Sequence, residues 1–95
     1  MLEITRFRLR PDADLDAFLG ADARLQTEFA YQQPGLARRT TARGSDEGWI
    51  VVDIWASAAQ ADACAEVWGS DSCVAEWLSF VDPESVSNER FWPLD

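Results

Sequence analysis

The sequence predicts one α+β domain over residues 1–95: a four-stranded antiparallel sheet with helices on one face, in the order β-α-β-β-α-β. Three observations carry that reading. Gly48 to Ser57 (Gly-Trp-Ile-Val-Val-Asp-Ile-Trp-Ala-Ser) is apolar on both alternating faces, the mark of a central strand covered on both sides. One long stretch of helical periodicity precedes it and another follows it. Shorter runs rich in Arg and Thr flank them as further strands.

Residues 2–10 form the first predicted strand, with Phe7 and Leu9 on one face and Ile4, Arg6 and Arg8 on the other. Pro11 ends it, because proline cannot donate to a ladder. Asp12 and Asp14 are N-caps for a helix running to about Gln33. Its apolar stripe is Leu15, Phe18, Leu19, Leu25 and Phe29, and Asp22 falls in the middle of it, with Gln26 and Gln33 beside it. A carboxylate there must be paired, neutralised or turned toward a cavity. Pro34-Gly35 turns the chain into Leu36–Arg43, an edge-like strand, and 44–48 is a polar hairpin loop.

Ser57-Ala-Ala-Gln60 has the spacing of a capping box. The helix it opens gathers Ala61, Cys64, Ala65 and Trp68 on one side until Gly69 breaks it. A second helical piece, capped within 70–72, repeats Cys73, Val74, Trp77, Leu78 and Val81 and stops at Asp82-Pro83. Val86–Trp92 is the last strand.

Composition narrows the function. Of 95 residues, 47% are hydrophobic and five are Trp, a heavy apolar load for a domain that buries only roughly 60–70% of its unfolded surface. A homodimer is the natural outlet. The net charge is −9, from 17 acidic and 8 basic residues, which argues against nucleic acid and anionic membranes as partners. There is no signal-peptide core and no membrane-length apolar run, so the expected location is the cytoplasm. All basic residues are Arg, so a Schiff-base lysine, a Ser-His pair and a histidine metal ligand are all excluded. Cys64 and Cys73 are expected to be reduced core thiols.

Right-handed crossovers turn this order into a ferredoxin-like sandwich with strands 1 and 3 central. The sheet face away from the helices is expected to hold Ile4, Arg6 and Arg8 with Trp49, Asp53 and Trp55 or their alternates. A second copy packed sheet to sheet would cover it. Asp53 is expected to pair with Arg38 or Arg90, between strands or across the seam.

The organisation resembles the dimeric α/β barrel superfamily, and within it the antibiotic-biosynthesis-monooxygenase-like group. The residues that carry the resemblance are Val51-Val52-Asp53-Ile54-Trp55-Ala56-Ser57, a strand ending in Trp-x-Ser that opens a helix, and the Gln33-Pro34-Gly35-Leu36 turn. The group includes cofactor-independent oxygenases and haem-degrading enzymes. Haem-degrading members use a strand-end tryptophan, an N-terminal asparagine and a helix histidine. Trp55 matches the first, but the chain has no His and its first strand no Asn, so that activity is not carried over.

The resemblance implies a pocket between helices and sheet, lined by Asp22, Gln26, Phe29, Trp55, Cys64 and Trp68, with Tyr31 near its mouth. Asp22 and Trp55 are the candidate catalytic residues; Gln26, Phe29, Cys64 and Trp68 are candidates for ligand contact. No cofactor or metal is expected. Against this stands a structural reading: Asp22 as a buried bridge to a strand arginine such as Arg39 or Arg6, and Trp55 and Trp68 as core. The implied function is a cofactor-independent monooxygenase-like enzyme acting on an aromatic or polyketide-like molecule; the alternative is a non-catalytic ligand-binding or accessory dimer.

Overall fold

A computed structural model describes residues 1–94. Strand β1 (Leu2–Phe7), helix α1 (Leu15–Glu28), strands β2 (Leu36–Arg43) and β3 (Trp49–Trp55), helices α2 (Ala58–Trp68) and α3 (Ser72–Leu78) and strand β4 (Ser87–Phe91) follow in that order. The strands form one antiparallel sheet, ordered β2-β3-β1-β4. This is the predicted α+β, ferredoxin-like arrangement, with β1 and β3 at the centre.

Local chemistry sets the helix ends. Asp14 accepts a 2.9 Å hydrogen bond from the Ala17 amide, Ser57 one of 3.2 Å from the Gln60 amide, and Asp71 bonds from the amides of Cys73 and Val74. Gly35 sits at φ 88°, and a Cβ there would collide with the Gln60 side chain, so the Pro-Gly turn and the start of α2 fit only with glycine.

Two boundaries differ from expectation. β1 stops at Phe7, because beyond it the main chain bonds to the segment before β4: the Arg10 amide donates to the Phe80 carbonyl at 2.8 Å, and Leu9 bridges Val81. α1 ends at Glu28, and a separate 3-10 turn, Ala30–Gln32, carries the chain on.

The strand register assigns the faces. Phe7 opposite Trp49, Thr5 opposite Val51 and Glu3 opposite Asp53 point toward the helices. Leu2, Ile4 and Arg6, opposite Ile54, Val52 and Ile50, make the other face. Trp49, Asp53 and Trp55 therefore lie under the helices rather than on the outer face. The expected pairing of Asp53 with Arg38 or Arg90 is likewise not formed. Arg38 sits opposite Ile54 on the outer face, and Arg90 is held by Glu3 at 2.9 Å and Asp62 at 2.7 Å.

The core is an aromatic stack between α1, α3 and the sheet. Phe18, fully buried, meets Trp49 edge-on at 5.2 Å, and Phe7 meets Trp77 edge-on at 4.9 Å. α1 is turned so that Phe18, Ala21 and Leu25 are buried, while Leu15 and Leu19, expected in the stripe, are 37% and 46% exposed. Phe18→Ala should cost about 3–5 kcal/mol in urea unfolding, against under about 1 kcal/mol for Leu19→Ala. Similar losses for the two would mean α1 is rotated from this phase.

Candidate functional site

The covered side of the sheet divides in two. Toward the 44–48 hairpin it is filled by the aromatic stack. Toward the other end, where α2 crosses, a cavity of about 230 Å³ remains. Residue size contributes to the gap: before Trp68 at its end, α2 brings only Cys64 to this space, and its only buried residue is Ala61. Phe29, Val51, Trp55, Trp68 and Trp77 form apolar walls, with Trp68 edge-on to both Phe29 at 5.8 Å and Trp77 at 6.2 Å. The polar members are Thr5, Arg39, Asp53 and Asn88, of which Asn88 donates to the Thr5 hydroxyl at 2.9 Å.

Two buried polar atoms on this wall have no hydrogen-bond partner among the described residues: Asp53 Oδ1 and Trp55 Nε1. They belong to side chains two residues apart on β3, so both residues lie on the sheet face that carries the cavity. An orphaned buried polar atom costs free energy comparable to a lost hydrogen bond. Burial pushes the Asp53 carboxyl up to about 6; Arg39 opposes this and Glu3 adds to it. The Cys64 thiol, also on the wall, is raised to about 11 by burial and by the charges of Asp53 and Glu3, so it remains protonated at neutral pH and is a poor nucleophile.

Asp22 and Gln26 are not on the cavity wall. Asp22 Oδ1 accepts from Arg39 Nη2 at 2.8 Å, Thr41 Oγ1 at 3.0 Å and Trp77 Nε1 at 3.0 Å. Gln26 Oε1 accepts from Arg39 Nη1 at 3.2 Å. Tyr31 is pinned to both main-chain groups of one β2 residue, its hydroxyl donating to the Arg39 carbonyl at 3.1 Å and accepting from the Arg39 amide at 3.0 Å. A larger depression of about 480 Å³ lies by the hairpin, but its charged residues Arg6, Arg8, Arg43 and Asp46 are all exposed. Among the described residues, no three His, Cys, Asp or Glu side chains converge as a metal site.

The sheet order and its helical cover can be compared with known proteins. SnoaB, a cofactor-independent oxygenase from Streptomyces nogalater, matches 99% of this chain and 92% of its own at 18% identity, with a TM-score of 0.79. Rv0793 from Mycobacterium tuberculosis matches 99% of this chain and 94% of its own at 17% identity and a TM-score of 0.70. An antibiotic biosynthesis monooxygenase matches 98% of this chain and all of its own, with 18% identity and a TM-score of 0.70. The fold is that of the antibiotic-biosynthesis-monooxygenase-like proteins. No protein-family model and no curated protein matches the sequence.

Within this monooxygenase-like fold, four of the six site residues named from the sequence, Phe29, Trp55, Cys64 and Trp68, line the cavity; Asp22 stands behind it, bonded to the wall residues Arg39 and Trp77, and Gln26 behind it, bonded to Arg39. Sequence reasoning missed Asp53, Arg39 and Trp77 as wall residues. For Asp53 the signal was available: in a strand, placing Trp55 in the pocket places Asp53 there too.

The raised pKa fixes a sign. The native state keeps the Asp53 proton up to about pH 6, whereas the unfolded chain loses it near 3.8, so stability falls as pH rises between these values. Asp53→Asn removes that loss. It should gain on the order of 2 kcal/mol over the parent protein at pH 7.5 and little at pH 3.5, read by urea unfolding. An equal effect at both pH values would contradict a raised carboxyl.

Proposed function

We propose that this chain is a cofactor-independent, monooxygenase-like enzyme acting on a compact, flat aromatic molecule bound in the cavity. The observation that carries the reading is the orphaned acceptor and donor, Asp53 Oδ1 and Trp55 Nε1, on a wall otherwise made largely of aromatic and aliphatic side chains. A volume of about 230 Å³ is below the roughly 300–1,000 Å³ typical of drug-sized pockets, which favours one or two rings. That SnoaB is a cofactor-independent oxygenase on the same fold supports the reaction class.

In this reading Asp53 takes a proton from a C–H bond next to a carbonyl, and Trp55 Nε1–H donates to the oxygen on which negative charge develops. The carbanion passes electrons to dioxygen and a C–O bond forms. The peroxide recovers the proton held on Asp53, and loss of water leaves a second carbonyl. A CH₂ group and O₂ thus become C=O and water; the substrate is oxidised, dioxygen is reduced, and no other reductant is required. With its pKa near 6, Asp53 is ionised at neutral pH and about a hundredfold more basic than an ordinary aspartate.

Oxygen consumption with a panel of CH-acidic hydroxyaryl ketones tests this. Turnover should rise with pH through about 6 as Asp53 ionises, and Asp53→Asn should lower kcat at least roughly 100-fold with Kd changed only a few-fold. Unchanged oxygen uptake in that variant would remove Asp53 from the chemistry. Tight binding of the panel without uptake by the parent protein would favour a non-catalytic binding role instead.

We also propose that two copies associate through the outer sheet face. Ile4, Ile50, Val52, Ile54 and Phe91 share it, and Ile54 and Phe91 are 39% and 44% exposed. Ile54→Glu should shift the sedimentation coefficient from dimer to monomer while leaving the circular dichroism spectrum unchanged. A parent protein that sediments as a monomer would end this proposal.

A further inference from the structure

Arg39 and Asp53 stand directly opposite each other across the β2–β3 ladder, on the face beneath the helices. Oppositely charged side chains in that relation ordinarily pair. Here they do not: Arg39 is buried, yet its two terminal nitrogens go to Asp22 at 2.8 Å and Gln26 at 3.2 Å, both on α1, and Asp53 Oδ1 is left bare. The other donors to Asp22 Oδ1, Thr41 from β2 and Trp77 from α3, fix that carboxylate before Arg39 is considered. α1 therefore holds the nearest cation off the carboxylate that most needs it.

We infer that Asp22 and Gln26 are positioning residues, a two-point clasp that keeps Arg39 away from Asp53 so that the cavity carboxylate stays unpaired and basic. The inference rests on the reading of Asp53 as the base. The remaining groups around Asp53 do not replace the clasp. Glu3 on β1 adds to the rise at Asp53 but is itself paired with Arg90 of β4, which also holds Asp62 of α2. Cys64 of α2 is a neutral thiol, and α3 brings only Trp77 and Leu78 to the wall. Arg39 is thus the one cation whose position controls Asp53, and Asp22 and Gln26 set that position.

The test is carbon-detected NMR titration of the Asp53 carboxyl, with no ligand, in the parent protein, Gln26→Leu, Asp22→Asn, Arg39→Met and the double variant Asp22→Asn/Arg39→Met. Gln26→Leu is the decisive variant, since it changes no charge and acts on Asp53 only by loosening Arg39. It should lower the midpoint from about 6 by roughly half a unit, and Asp22→Asn by about one unit or more. In the Arg39→Met background, Asp22→Asn should leave the midpoint where Arg39→Met alone puts it. A Gln26→Leu midpoint equal to that of the parent would overturn the clasp. So would an Asp22→Asn shift that persists without Arg39, because the effect would then be direct charge repulsion between the two carboxylates. A parent midpoint below 5 would instead count against Asp53 as the base. The two failures are therefore distinguishable.

Discussion

One carboxylate oxygen, Asp22 Oδ1, ties the helical layer to the sheet. It lies on α1 and accepts from two residues of β2 and one of α3, so three elements far apart in sequence meet at a single atom. The Asp22–Arg39 pair is nearly dry, with side-chain exposures of 15% and 4%. Such a pair adds little over a well-packed apolar substitute, but removing one partner strands a buried charge, at a cost of about 3–5 kcal/mol. Its larger effect is on geometry. It sets the rotation of α1, brings the Trp77 indole against the sheet and decides where the only buried guanidinium among the described residues points.

The cavity follows from the same arrangement and from residue size. Where α1 and α3 cover the sheet, Phe7, Phe18, Trp49 and Trp77 interlock and leave no room. Where α2 covers it, that helix brings only Cys64 and Trp68 to the wall, and a space opens beside Asp53 and Trp55. One sheet thus carries a rigid half and an open half. The register of β3 runs through both, so the side chains facing the open half are held by packing in the rigid one.

Much of this was legible in the sequence, because period and punctuation are local. The alternation in 48–57, the Pro34-Gly35 stop, the Ser57 cap and the Gly69 break each rest on residues a few positions apart, and the structure places elements accordingly. The polar intrusion at Asp22 was legible as well, and Arg39 was one of its two named partners. The rest depended on long-range placement. Helical periodicity locates an apolar stripe but not its edges. Leu15 and Leu19 lie on the flank marked by Gln26, and Ala21, small and unremarked, takes the buried flank instead. β1 looked longer than Phe7 because its extension does pair, with a segment some seventy residues away that no local signal reveals. For β3, alternation identified two faces without saying which met the helices, and an aromatic face fits either a core or a partner subunit.

Asp53 is where the local rules break. An aspartate in the middle of a central strand is disfavoured by strand propensity and by burial, and a cation that could neutralise it stands across the ladder yet is bound elsewhere. Trp55 Nε1, two residues on, is also unsatisfied, although a buried indole N–H usually finds an acceptor and Trp77 does. Elsewhere the chain largely obeys the usual consistencies, with caps at the helix starts, glycine at the Pro-Gly turn and an Arg6–Glu89 pair between β1 and β4, Glu47 at φ 68° in the hairpin being an exception on the surface. Natural sequences keep such exceptions where function requires them, and here both fall on one wall of one cavity. That coincidence, more than the shared fold, makes this end of the sheet the candidate site.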